Sequence, residues 1–272
     1  MQEPKHLSRM FCGGGAGGGL GARGGAQDDR SGDYGWRVAR PRFRGLILDF
    51  AGVMTTNMVE VIELFEAREH IRPESFLRAW ASEEGQDLYR QLELGRISQT
   101  LWNEGFASLL GIPDENLMGR LLYFLDPAHE VLKLARQARN AGVRTAVLSN
   151  SLGHDPHDPY AGYNLPSLVD VVVFSDDHGV RKPDRAIFEI TLDLLAVPAM
   201  SCVFADDTEA NLVTAAAMGM TVVHALDEQE TARRLRSLLG LAGRLSLYCA
   251  EEVPYGWRAS MTREFPPQAG QR

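Results

Sequence analysis

The run Gly45-Leu46-Ile47-Leu48-Asp49-Phe50-Ala51-Gly52-Val53-Met54 decides the reading of the fold. Gly45 to Leu48 carry no charge and form a short apolar run, the signature of a strand covered on both faces. The run stops at a carboxylate and turns at Gly52. An acid placed there lies at the carboxyl edge of a sheet, where open α/β folds gather their chemistry. Asp49 therefore reads as a nucleophile or a metal ligand. Two residues on, Ala51 occupies the place where a second carboxylate would complete a nucleophile and general-acid pair.

Four further apolar runs, Arg144–Ser149, 169–175, 201–205 and 221–225, have the same short, bounded character and read as buried parallel strands. Between them lie helix-period segments at 129–141, 186–195 and 209–218; in the first, Val131, Leu132, Leu134, Ala135 and Ala138 share a face. Alternating strand and helix predicts an α/β fold with a doubly wound parallel sheet. The interval 58–124 breaks the alternation. It offers no strand but helical stretches at 59–70, 74–80, Gln99–Leu110 and 114–122, punctuated by Gly85, Gly95 and Gly111-Ile112-Pro113. A small all-helical insertion after the first strand is placed to cover the carboxyl edge as a cap. The expected organisation is a core of residues 42–57 and 125–243 with a cap of residues 58–124. Residues 1–41, rich in Gly, Ala, Asp and Arg, read as a flexible tail. Residues 244–272 contain Tyr248, Tyr255, Trp257 and Phe265 without a clear period and receive no role.

Composition narrows the partners. With 272 residues, 44% of them hydrophobic, the chain can bury a full core. Its 28 basic and 36 acidic residues give a formal charge of −8, without a basic cluster beyond stretches such as Arg233-Arg234-Leu235-Arg236, which argues against nucleic acid. Cys12, Cys202 and Cys249 form no CxxC pair, so neither a disulfide framework nor a zinc site is expected, and a reducing cytoplasm fits best. The first twenty residues lack the apolar stretch of a signal peptide, and no 18-residue apolar run crosses a membrane. A homo-oligomer is left open.

The other strand ends also carry chemistry. Leu148-Ser149-Asn150-Ser151 supplies a hydroxyl and an amide suited to phosphate-like oxygens. Gly179-Val180-Arg181-Lys182-Pro183-Asp184 presents Lys182 as a cation ahead of a helix. Phe204-Ala205-Asp206-Asp207-Thr208 ends in adjacent acids, with Asn211 one helical turn on. Magnesium takes oxygen ligands and is usually held by one or two carboxylates plus a phosphate; Asp49, Asp206 and Asp207 supply such a set.

These four stretches, in order, resemble the four motifs of the haloacid dehalogenase superfamily over residues 43 to 240. The resemblance implies a Rossmann-like core with a small helical cap and, in most members, Mg2+-dependent hydrolysis of phosphate esters, here of a small phosphorylated metabolite. Carried across, Asp49 would be the nucleophile that forms an aspartyl-phosphate. Ser149 would bind phosphoryl oxygens, and Lys182 would neutralise charge on nucleophile and phosphate. Asp206 and Asp207 would hold Mg2+ together with Asp49 and the backbone carbonyl of Ala51. The departure is Ala51, since phosphatases of the family usually carry Asp there as general acid and base. That help is worth about 10²–10⁴ in rate, so the gap disfavours a fast alkyl phosphatase and permits a slow enzyme or one with a good leaving group.

Rival readings stand beside these. An Asp-x-Ala-Gly start also resembles phosphonoacetaldehyde hydrolase, which uses a cap lysine, but Lys5, Lys133 and Lys182 all lie outside the expected cap. A carboxylate nucleophile attacking carbon, as in the dehalogenases themselves, is another alternative, as is an impaired member that binds a ligand or a protein. Ser149 and Asn150 can be turn formers, and Asp207 a helix cap. The loop His154-Asp155-Pro156-His157-Asp158-Pro159 reads as a polar loop near the site, with His154 a replacement acid in the alternative. In the insertion, Glu93-Leu94-Gly95-Arg96 sits at a helix break, where Arg96 is either a contact for an anionic substrate or a surface charge.

Overall fold

Leu46 and Leu48 point to one side of a sheet and Ile47 to the other, and all three are buried completely, so the first strand has apolar cover on both faces. The computed structural model describes residues 43–241. Its sheet consists of β1 (Gly45–Leu48), β2 (Arg144–Ser149), β3 (Val171–Phe174), β4 (Cys202–Asp206) and β5 (Thr221–His224), all parallel, in the order β3-β2-β1-β4-β5. Register puts Leu48 opposite Val147 of β2 and Ala205 of β4. The residues that follow these three strands therefore emerge side by side. Winding runs outward from β1 through β2 to β3 and then returns to β4, so the crevice at the carboxyl end of β1 is the topological switch point.

Between β1 and β2 the chain forms α1 (Met58–Glu69), α2 (Ser75–Ala81), α3 (Glu83–Glu93), α4 (Gln99–Leu110), α5 (Leu117–Leu121) and then α6 (His129–Asn140). After β2 come α7 (Leu165–Leu168), α8 (Ser175–His178), α9 (Arg185–Leu195), α10 (Glu209–Ala217) and α11 (Glu228–Leu238). The buried faces of α6 and α11 join the cluster that contains Leu46 and Leu48, whereas those of α9 and α10 join the cluster around Ile47. The result is a three-layer α/β/α fold.

Two helices are poorly announced by sequence. Gly85, expected to punctuate, lies in the first turn of α3. Ser82 caps that helix by accepting from the Gly85 N–H at 3.0 Å, and Glu83 and Glu84 complement the dipole. A Cβ on Gly85 would meet the Ala79 carbonyl oxygen at 2.0 Å, so the glycine serves close packing of α3 on α2. Helix α11 buries only Thr231, Ala232 and Leu235. That stripe is too narrow and too polar to produce a strong apolar period, and the cap from Asp227 to the Glu230 N–H marks its start instead.

Helices α1 to α5 hold together through aromatic packing, with Trp102 stacked on Phe106 at 4.9 Å and Phe76 and Tyr89 at 5.0 and 5.4 Å from Phe106. Buried Glu66 accepts from the Glu74 and Phe76 N–H groups at 2.9 and 2.7 Å, which satisfies the start of α2. Both links to this helical group run together: Thr55 pairs with Pro127, and Ala128 donates its N–H to the Met54 carbonyl. The expected tail at 1–41 and extension at 244–272 lie outside the described residues. No described helix is long and apolar enough to cross a membrane.

Candidate active site

Asp49 directly follows β1, and its neighbours are set by the backbone before any side chain is considered. The Met54 and Val53 N–H groups both donate to the Phe50 carbonyl, closing a tight turn around Gly52. Gly52 has φ +77, and a Cβ there would stand 2.4 Å from Oδ2 of Asp207. Glycine thus lets this turn approach the end of β4 closely. Phe50 anchors the turn, its ring buried between Tyr160 and Tyr163 at 4.6 and 4.7 Å.

Four groups from two strand ends and one loop meet here. The Lys182 ammonium, 1% exposed, lies 2.7 Å from Oδ1 of Asp49 and 2.7 Å from Oδ2 of Asp206. Asp206 is fully buried, and its Oδ1 accepts from the Thr208 N–H at 2.8 Å and the Asn211 amide at 2.9 Å. Asp49, Asp206 and Asp207 each offer one oxygen, and these oxygens lie within 4.8 Å of one another. Three carboxylates face one ammonium, which leaves negative charge without a partner in a dry place. Burial pushes the Asp49 carboxyl up to about 8; Lys182 opposes the rise, and Asp206 and Asp207 add to it. Asp207 is raised by burial and by Asp206. Burial works against the Lys182 charge as well, but Asp206 and Asp49 outweigh it and raise its pKa.

This electrostatic balance yields a stability prediction. Lys182→Met keeps the volume and removes the ammonium that pairs with two buried acids. Breaking a buried pair in this way costs about 3–5 kcal/mol. Urea unfolding of the metal-free variant at pH 8 should show a loss of that size, and a loss below about 1 kcal/mol would mean that Lys182 is not the counter-charge.

Ser149 ends β2 with its Oγ 3.1 Å from the Tyr160 hydroxyl, and it lines the cavity beside Asp49. Asn150 lines the same cavity, but its amide is turned onto the Lys182 backbone, accepting from the N–H at 2.8 Å and donating to the carbonyl at 3.1 Å. Through these two bonds Asn150 holds the lysine loop in place while it lines the cavity. Arg96 is exposed and does not line the cavity. The chain reverses at Gly95, so the residue of that break which lines the cavity is Glu93, paired with Arg181. His154 is also outside this cavity, 3.5 Å from Asp158 and edge-on to the Phe174 ring. Ala51 is half-buried and lines the cavity. Sequence reasoning missed Tyr160 and passed over Glu93. Nothing in the spacing of either residue marks it; only the folded positions of Ser149 and Arg181 do.

The sequence profile of haloacid dehalogenase-like hydrolases matches residues 43–219. The chain belongs to this family. Among curated relatives, the sesquiterpene phosphatase astK of Aspergillus oryzae is 27% identical over 157 residues, 57% of this chain and 80% of that protein. Acyl-CoA dehydrogenase family member 10 of Mus musculus is 27% identical over 207 residues, 73% of this chain but only 19% of that protein. Solved structures show the same fold. The HAD family enzyme bt-2542 of Bacteroides thetaiotaomicron, in complex with magnesium and inorganic phosphate, superposes with a TM-score of 0.53 at 21% identity, covering 66% of this chain and 93% of that one. L-2-haloacid dehalogenase of Xanthobacter autotrophicus, with chloropropionic acid covalently bound, gives 0.52 at 20% identity, covering 75% and 85%.

Proposed function

We propose that this haloacid dehalogenase-like hydrolase cleaves phosphate monoesters of small metabolites through Asp49, with Mg2+ as cofactor and the helical insertion 58–124 as the cap over the site. One observation carries the reading: the oxygens of Asp49, Asp206 and Asp207 lie within 4.8 Å of one another around an ammonium too weak in charge to balance them. An all-oxygen donor set with excess negative charge fits magnesium, which prefers carboxylates and phosphate oxygens. Asp49, Asp206, Asp207 and the carbonyl of Ala51 would hold the ion, and when bound it supplies positive charge that favours the ionised nucleophile and the incoming phosphate.

The residues then divide the work. Oδ1 of Asp49 is held by the Phe50 N–H at 2.7 Å and by Lys182, whereas Oδ2 takes no hydrogen bond from the described residues and is the oxygen suited to attack. Oδ2 forms a bond to phosphorus as the ester P–O bond breaks in line with it, and the departing oxygen takes a proton from solvent because position 51 has none to give. Ser149 and Lys182 hold the non-bridging oxygens. Water then attacks the phosphorus of the aspartyl-phosphate, losing a proton, and inorganic phosphate leaves as Asp49 is restored. The phosphatase name of the Aspergillus relative supports phosphorus over carbon as the electrophile.

The test is phosphate release from a panel of esters with Mg2+ or with chelator, alongside Asp206→Asn. Release should require Mg2+ and fall by at least about 10-fold to 100-fold in the variant, the loss that even the outer partners of metal ligands cause. Release that is indifferent to chelation would overturn the reading. Ala51 itself favours a second reading, a binding protein with impaired turnover; ligand-dependent rises in Tm without any release would support it.

A further inference from the structure

The cavity over Asp49 is about 330 Å3, and its two halves differ in kind. The core half is polar, with Asp49, Ser149, Lys182 and Asp207. The half contributed by the insertion is hydrocarbon and aromatic ring: Met58, Ile62, Phe76, Met118, Leu121 and Leu122 form its walls. Val59, Leu77 and Trp80 also line it and are exposed, so they rim its opening. From this juxtaposition, and resting on the phosphomonoester reading above, we infer that the substrate is the phosphate monoester of an apolar alcohol or phenol whose hydrocarbon tail fills the insertion half.

Three observations favour that class over sugar phosphates and nucleotides. Among the described residues that line the cavity, Lys182 is the only lysine or arginine, and it is already bound to Asp49 and Asp206, so none of these residues offers a free cation to a second phosphate. A polyol would strip water from several hydroxyls, and unpaired buried hydroxyls are costly. The insertion half meets them with little more than Tyr89 and Glu93, and Glu93 is engaged by Arg181. Finally, the volume lies near the lower end of small-molecule sites, about 300–1,000 Å3, which suits a single phosphate with a compact tail better than a dinucleotide or a long lipid.

A homologous series reads the inference directly. For n-alkyl phosphates from ethyl to decyl, each added methylene buried should raise kcat/KM by about two- to fourfold, and the rise should level off once the cavity is full. Glucose 6-phosphate should fall below hexyl phosphate by roughly 10²-fold on the same scale. Leu77→Asp and Trp80→Asp, at exposed rim positions where folding is insensitive, should flatten the dependence on tail length. Calorimetric binding of the same esters to Asp49→Asn in Mg2+ separates the two claims. Affinity that climbs with tail length while the wild-type protein turns over no ester keeps the recognition of apolar phosphate esters and defeats the hydrolase reading. Turnover that requires Asp49 but is flat in tail length, or prefers glucose 6-phosphate, overturns the inference and keeps the hydrolase. Absence of both turnover and binding overturns both.

Discussion

Asp49→Asn should reduce phosphate release from every accepted ester by about 10⁴-fold or more, the scale seen when a covalent nucleophile is lost. The substitution is nearly isosteric. An asparagine carbonyl can accept from the Phe50 N–H and from Lys182 as Oδ1 now does, so the turn around Gly52 should survive. What disappears is the charge and the attacking lone pair. Stability should move in the opposite direction from activity. Because the folded carboxyl is raised from 3.8 to about 8, its stabilising contribution is complete below pH 4 and is lost as pH rises through 8. Metal-free wild type should therefore lose Tm across that window by more than the variant, which has no proton to lose at this position. An active Asp49→Asn protein would remove the nucleophile from the scheme, whatever its Tm.

That trade between stability and activity clarifies what sequence could disclose. The strand ends were legible because a short apolar run, a terminal carboxylate and a glycine are backbone instructions: β1, Asp49 and the turn follow from them, as do β2 with Ser149 and β4 with Asp206. Parallel pairing of β1 with both β2 and β4 then brings those residues together without further information. Side-chain direction was not legible. Asn150 follows Ser149 at the end of β2 and lines the same cavity, yet its amide is also tied to the Lys182 backbone, a pairing made by a loop 32 residues away. Glu93 and Arg96 are three residues apart, and the reversal at Gly95 decides which of them meets the core. Tyr160 reaches Ser149 because its ring packs on Phe50 and Phe174, a long-range event that no local period encodes.

The largest gain of function is expected from Ala51→Asp. The alanine lines the cavity two residues beyond Asp49, so a carboxyl built there enters the same space without crossing the core. Its effect should depend on which half-reaction limits the rate. With an alkyl phosphate the leaving oxygen needs a proton, cleavage of the ester limits wild type, and an acid at 51 should accelerate turnover by about 10²–10⁴. With p-nitrophenyl phosphate the leaving group needs no proton, so the first half-reaction is fast in wild type. Water must still attack the aspartyl-phosphate without a base, and the phosphoenzyme accumulates. Rapid mixing should then show a burst of one nitrophenolate per site, followed by slow turnover. In Ala51→Asp the new carboxylate takes the proton from water, the burst should vanish, and the steady rate should rise. Glu93, the other carboxyl lining the cavity besides Asp49 and Asp207, is tied to Arg181 and cannot do this work unless that pair opens. If the folded variant shows neither a faster alkyl rate nor a smaller burst, position 51 is not the site of the missing acid and base, and Glu93 becomes the group to replace.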